Sequence, residues 1–277
     1  MLGVRLGHVT IWAKEEPMVR AAQAADWAMS RGIASLTTVE LAGLLGVPVS
    51  QVPQRMSVPK KRGEWVTPAR GLWVPVSPEF RGWGGPPATE SIVPLTRHLD
   101  VSYYVGWLAA AAVHGAAHHA PQVTHVAVSR LVRDRRVGRA DLRFHTREHV
   151  DVLPGEERMT RAGPYRISTP EVTALDLASD IALAGGLVNA ATVIVDLADE
   201  AGLVDATLAG LTCWYPHAAA RRVGWIMETF SEYQLDSLAD QVAKGPANPA
   251  RLHPSQPLTG KLDHRWRLRI NAEVEVE

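Results

Sequence analysis

The sequence predicts an α+β protein: a small N-terminal module of short helices closed by a hairpin, then a larger mixed α/β domain. Three observations predict it. At 277 residues the chain is long enough for two buried cores. The Gly- and Pro-rich stretch SPEFRGWGGPPA at Ser77 to Ala88 reads as a connection between them. The formal charge is +0 overall but divides unevenly, with ten Lys and Arg against six Asp and Glu in residues 1–81, and nineteen against twenty-three in 82–277. A cationic end on a neutral chain suits a polyanionic partner.

Residues 1–16 form a leader with no assigned role. A first helix is expected from about Pro17 to Arg31, with Pro17 tolerated in the first turn and Met18, Ala22, Ala25 and Met29 on one face; Gly32 stops it. Thr37, with Glu40 three residues on, is a capping box for a second helix that Gly46 ends. After a turn at Gly46-Val47-Pro48, Ser50 caps a third helix with Val52 and Met56 inward and Gln51, Gln54, Arg55 and Ser57 outward. Pro53 suits its first turn, whereas Pro59 is expected to end it near Ser57 or Val58, leaving Lys60, Lys61 and Arg62 on an irregular turn. Glu64–Thr67 and Leu72–Val76 then read as strands around Pro68-Ala69-Arg70-Gly71.

That order is a winged helix-turn-helix over residues 17–81. On a duplex, Ser50, Gln51, Gln54 and Arg55 suit base edges, because Gln pairs bidentately with adenine and Arg with guanine. Lys60, Lys61, Arg62 and Arg70 suit phosphates. The competing reading is a solvated basic face on a protein-binding module.

In residues 82–277, helices are expected at Glu90–His98 and Tyr103–His114, and strands near Val123–Val128, Leu142–His145 and Tyr165–Ile167. Ser168, with Glu171 as box partner, is expected to start a helix, further helices run to about Val242, and WRLRINAEVEV reads as a last strand returning to the sheet. Arg130, Arg133, Arg135, Arg136 and Arg139, continued by Arg143 and Arg147, are the densest cationic run. Two uses stay open for it, a further contact to DNA or an acidic partner, and a solvated connection.

The residues give little sign of catalysis. His114, His118, His119 and His125 have helix-face spacing in part, but Gly115 and Pro121 interrupt them and no HExxH completes a site. Asp176 and Asp180, like Asp196, Asp199 and Glu200, have spacing that a solvated helix also shows. There is no Walker loop, nucleophile elbow or GxGxxG, so no catalytic residue, metal or cofactor is assigned. The single cysteine, Cys213, precludes an intrachain disulfide and fits a reducing cytoplasm. The N-terminus lacks a signal-peptide pattern and no apolar run reaches the roughly 18 residues of a spanning helix, so a soluble cytoplasmic protein is expected.

Four segments together carry a resemblance: RGEWVTPARGLWVPVSPEFRGWGGPPA from Arg62, YYVGWLAAAAVHGAAHHAPQ from Tyr103, STPEVTALDLASDIALAGGL from Ser168, and RWRLRIN from Arg265. In this order they resemble the AbiEi-type antitoxins of type IV toxin–antitoxin systems. The resemblance implies an N-terminal winged helix that represses its own operon by binding double-stranded operator DNA, and an antitoxin domain over 82–277 that counters a nucleotidyltransferase-like toxin. The alternative is a solo transcriptional regulator whose second domain senses a ligand or a protein.

Overall fold

The computed structural model describes residues 18–117 and 121–276; the leader, Pro17, His118 and His119 lie outside them. A 3-10 turn at Ala21–Gln23 leads into helix α1 (Ala24–Ser30). The helix starts later than expected because Arg20 is extended, with ψ of 141°. Its buried face is accordingly Ala24, Ala25 and Ala28, while Met18 and Ala22 are exposed. Strand β1 (Leu36–Thr37) runs into α2 (Thr38–Leu45), which opens on the expected box: Glu40 N–H donates to Thr37 Oγ1 at 3.2 Å, and Thr37 N–H to the Glu40 carboxylate at 2.7 Å. Gly46, at φ +63°, ends it in the left-handed conformation.

The third helical segment differs from expectation. A 3-10 turn (Val49–Gln51) precedes α3 (Val52–Arg55), and α4 (Ser57–Lys61) follows after a break at Met56, where ψ is 0°. Ser50 lies inside the turn and caps nothing. Because the break precedes Pro59, that proline falls in the first turn of α4, where an N–H would have no intrahelical partner. Lys60 and Lys61 are therefore helical, with Arg62 at the helix's C-terminal end. Val52 and Met56 are fully buried as expected, and Gln51, Gln54, Arg55 and Ser57 face outward.

Strands β2 (Trp65–Ala69) and β3 (Leu72–Pro75) form the hairpin, closed by Arg70-Gly71 with Gly71 at φ +83°, and β1 pairs on the far side of β3. A register shift between Val66 and Ala69 accommodates Pro68, which has no N–H to give a ladder. Strand alternation then divides the hairpin between two cores. Trp65 and Trp73 join Ala24, Ala28, Leu41, Val52 and Met56, while Leu72 and Val74 join a second cluster with Ile92, Leu95, Val126, Val128 and Leu142.

The Gly- and Pro-rich connection is an ordered strap, beginning with a 3-10 turn at Pro78–Trp83. Its glycines permit backbone to lie on backbone: a Cβ added at Gly138 would stand 2.5 Å from both Gly84 C and Trp83 O. Helix α5 (Ala88–Leu99) follows.

Strands β4 (Tyr103–Val105), β5 (Val123–Val128), β6 (Arg135–Val137), β7 (Ala140–Thr146), β8 (Gly155–Thr160) and β9 (Gly163–Ser168) form a six-stranded sheet, ordered β6-β7-β5-β4-β9-β8. The pairs β5–β7 and β4–β9 are parallel, the others antiparallel. Tyr103 to Val105 were expected to be helical; they are β-formers taken into the middle of the sheet, and α6 is only Trp107–Val113. One sheet face, with Val105, Val126 and Val128, packs on α5 and the hairpin; Tyr104 and Ala127 face the helical layer opposite.

That layer holds α7 (Pro170–Ser179), α8 (Leu187–Ala201), α9 (Asp205–Leu211), α10 (His217–Phe230) and α11 (Asp236–Lys244). Helix α7 is central, with Glu171 to Ala178 all buried. Its cap is Thr169, not Ser168: Thr169 Oγ1 accepts from Val172 N–H, Ser168 ends β9, and Glu171 reaches the Val204 N–H. Strands β10 (Ala250–Arg251), β11 (Lys261–Asp263) and β12 (Leu268–Ile270) make a sheet of their own, so the last strand does not return to the large one. Helix α10 holds it. Trp266 lies over Gly224, and buried Arg222 donates to the carbonyls of Arg251, Leu252 and Ala178. Among the described residues no helix is long and apolar enough to cross a membrane.

Candidate nucleic-acid interface

Lys60, Lys61 and Arg62 share one wall of a cleft of about 520 Å³. Strand β2 forms its floor with Trp65 and Thr67, and Arg81 of the strap and Arg136 of β6 complete it. Lys60 Nζ donates to Thr67 Oγ1 at 2.8 Å and stands 5.9 Å from the Trp73 ring centroid. Arg62 is 4.0 Å from Glu64, and Arg81 is 3.8 Å from Asp26. Among the described residues, no hydrogen bond or ion pair engages the side chain of Lys61 or Arg136. Among the described residues no acidic side chain lines the cleft. Five cations thus converge where exposed charges can meet an anion, and the pairs they already make are of the weak surface kind.

The other expected DNA-facing residues are more dispersed. Ser50, Gln51, Gln54 and Arg55 are exposed on α3 and the turn before it. Arg55 borders a different depression, with Met18, Val19 and Arg20. Arg70 is exposed at the hairpin tip, where its carbonyl meets His98 Nε2 at 3.0 Å.

The arginine run does not act as a unit. Arg130 binds the carbonyls of Leu99 and Asp100 at the end of α5. Arg135 donates from Nε to Pro68 O at 3.1 Å, tying β6 to the hairpin. Arg143 pairs with Asp134 and Asp141, both at 3.0 Å. Arg133 and Arg139 project outward, Arg139 over Trp83, and of the whole run only Arg136 lines the cleft. Arg81 is the residue that sequence reasoning missed, since it sits in a connection whose order nothing in the local pattern reveals.

The second titratable cluster is a buried network behind the sheet. Asp176 on α7 is fully buried and accepts from Tyr215 Oη at 2.9 Å and Tyr104 Oη at 3.3 Å, with Arg147 at 3.9 Å. Arg147 also pairs with Asp180, which accepts from Trp107 Nε1 at 3.3 Å. Burial pushes the Asp176 carboxyl up to about 7, against the Arg147 charge and the two hydroxyls, and pushes both tyrosines up as well. Asp176 and Asp180 are therefore tied into a packing network.

The histidines are divided likewise. His114 Nε2 is 2.8 Å from Ser168 O, and His125 Nδ1 is 2.8 Å from His145 Nε2, both of the latter pushed down chiefly by burial. No group of three or more His, Cys, Asp or Glu among the described residues could hold a metal ion.

The Asp176 carboxyl gives a prediction with a definite sign. Folded, it keeps its proton to about pH 7; unfolded, it loses it near 3.8. Its contribution to stability is thus fully present below pH 3.8 and is lost as pH rises through 7. Asp176→Asn, which carries no ionisable group, should gain on the wild type as pH rises from 5 to 8. Urea unfolding at both values measures this, and an equal gap at the two would refute it.

The RV2827C protein from Mycobacterium tuberculosis, known from a crystal structure, is similar in fold, with a TM-score of 0.61 over 90% of each chain at 16% identity. No curated protein matches the chain. Residues 104–229 match the family model for the AbiEi antitoxin C-terminal domain. The matched span runs from β4 to α10 and contains the Asp176 network, and the family is one of antitoxins rather than enzymes. This match supports an antitoxin role of the AbiEi type in a toxin–antitoxin pair.

Proposed function

We propose that the chain is a DNA-binding antitoxin of the type IV kind, acting in the cytoplasm. Residues 17–81 act as a winged helix on double-stranded operator DNA upstream of the chain's own gene and repress its operon. Residues 82–277 counteract a nucleotidyltransferase-like toxin. The observation that carries the DNA reading is the cleft, in which Lys60, Lys61, Arg62, Arg81 and Arg136 converge beside the exposed polar face of α3. In this reading the cleft holds phosphates, Arg70 at the hairpin tip adds another, and Ser50, Gln51, Gln54 and Arg55 meet base edges.

A mobility-shift assay with the full chain and its own upstream region tests this. A shift competed by unlabelled upstream duplex and not by a scrambled one is expected; no shift at low salt would overturn it. Rescue of growth by the full chain when the neighbouring toxin gene is induced tests the antitoxin half.

A further inference from the structure

A cavity of about 560 Å³ lies on the seam between the N-terminal module and the larger domain, and residues of both line it. Met29 and Ile33 come from beside the module's core, Val74 from the second core, Pro86 from the strap and Ala162 from the turn between β8 and β9. The walls are therefore mostly apolar. Ligand pockets run from roughly 300 to 1,000 Å³, favour domain interfaces and set a few convergent polar groups into such walls.

Among the described residues, the charged side chains that line it are Glu79, Glu90 and Arg161. Two of them satisfy each other: Arg161 pairs with Glu79, also donating to Ser77 Oγ at 3.3 Å, and both side chains are exposed as a rim. Glu90 is different. It stands in the first turn of α5, half-buried, and among the described residues no hydrogen bond or ion pair engages its carboxylate. Burial pushes that carboxyl above its usual range; the Arg161 charge offsets this in part, and the Glu79 charge adds to it. A carboxylate drawn from water without a donor forfeits the bonds it would make there, so a donor beside Glu90 would restore them.

Charge complementarity selects the occupant. Two carboxylates against one guanidinium leave the lining with one negative charge in excess. An anionic ligand would find its natural partner, Arg161, already held by Glu79. A cation would find Glu90 free, with apolar walls for the rest of its body.

We propose that this cavity binds a small organic amine, a single ammonium group on an apolar body, with the ammonium donating to Glu90 and the body lying against Met29, Ile33 and Val74. Isothermal titration of the full chain with tryptamine, and separately with tryptophol, tests the site. The two compounds share an indole body, and tryptophol carries a hydroxyl where tryptamine carries the ammonium. One saturable site is expected for tryptamine, at least tenfold tighter than for tryptophol.

Glu90→Gln, which keeps the shape and removes the charge, should erase that preference with an unchanged unfolding transition. Ala34→Trp, which adds bulk at the cavity wall, should weaken both compounds at least tenfold. The Lys60→Ala/Lys61→Ala/Arg136→Ala variant should leave tryptamine binding unaltered, separating this site from the cleft. No saturable heat with tryptamine, equal affinity for the two compounds, or a preference for tryptamine that survives Glu90→Gln would overturn the proposal.

Discussion

Replacing Lys60, Lys61, Arg62 and Arg136 together by alanine is expected to flatten the salt dependence of operator binding by about 3.6 in log–log slope. The figure is about 0.9 for each of four phosphate contacts. Over a fourfold rise in salt the wild type should therefore lose roughly a hundredfold more affinity than the variant. Four exposed side chains hold no core, so the unfolding transition should stay where it is. Lys60 has the most local role, through Thr67 and Trp73, and a Lys60→Ala single variant isolates it. Base readout is separable: Gln54→Ala or Arg55→Ala should narrow the gap between operator and scrambled duplex by about 1–3 kcal/mol with little change of slope. An unchanged slope in the fourfold variant would remove the cleft from the DNA reading.

Trp266→Ala should have the largest effect on stability. The ring is 1% exposed and lies so close over α10 that a Cβ at Gly224 would stand 2.1 Å from it. Its Nε1 donates to Glu228 Oε2 at 2.9 Å. Truncation leaves a large cavity and removes that donor, at a cost of about 3–5 kcal/mol, a large share of the roughly 5–15 kcal/mol that holds an ordinary domain. The midpoint of urea unfolding should fall accordingly. Gly224→Val, which fills the same space from the other side, should destabilise as well. A Trp266→Ala loss below about 1 kcal/mol would mean that the C-terminal sheet contributes little to the core.

Much of the fold was legible because the signals were local. The Thr37–Glu40 box, the glycine stops at Gly32 and Gly46, the inward Val52 and Met56, and the Arg70-Gly71 turn depend on residues a few positions apart. What failed depended on distant partners. Tyr103 to Val105 look helical beside an alanine run, yet β5 and β9 claim them. The final strand alternates as a sheet strand should, but Trp266 and Gly224, 42 positions apart, take its approach onto α10. Pro59 was judged against a helix starting at Ser50; the break at Met56 reset the count.

The candidate site divides on the same line. Lys60 to Arg62 announce themselves as a run, whereas Arg81 and Arg136 enter the cleft only through tertiary packing. The remaining arginines were equally conspicuous in sequence, yet several were spent on carbonyls and carboxylates that no spacing rule foresees.

The two-faced hairpin has a consequence for how the protein can be taken apart. Leu72 and Val74 are a wall of the larger core, and Arg135 and His98 fasten the tip through Pro68 and Arg70. A chain cut after Arg81 would strip that wall away and leave Ile92, Leu95 and Val126 open to water on one piece, with Leu72 and Val74 open on the other. Deletion would then damage both pieces at once and mimic a shared function where there is only a shared surface. Genetic separation of the two proposed activities has to proceed by point substitution, with the hairpin left whole.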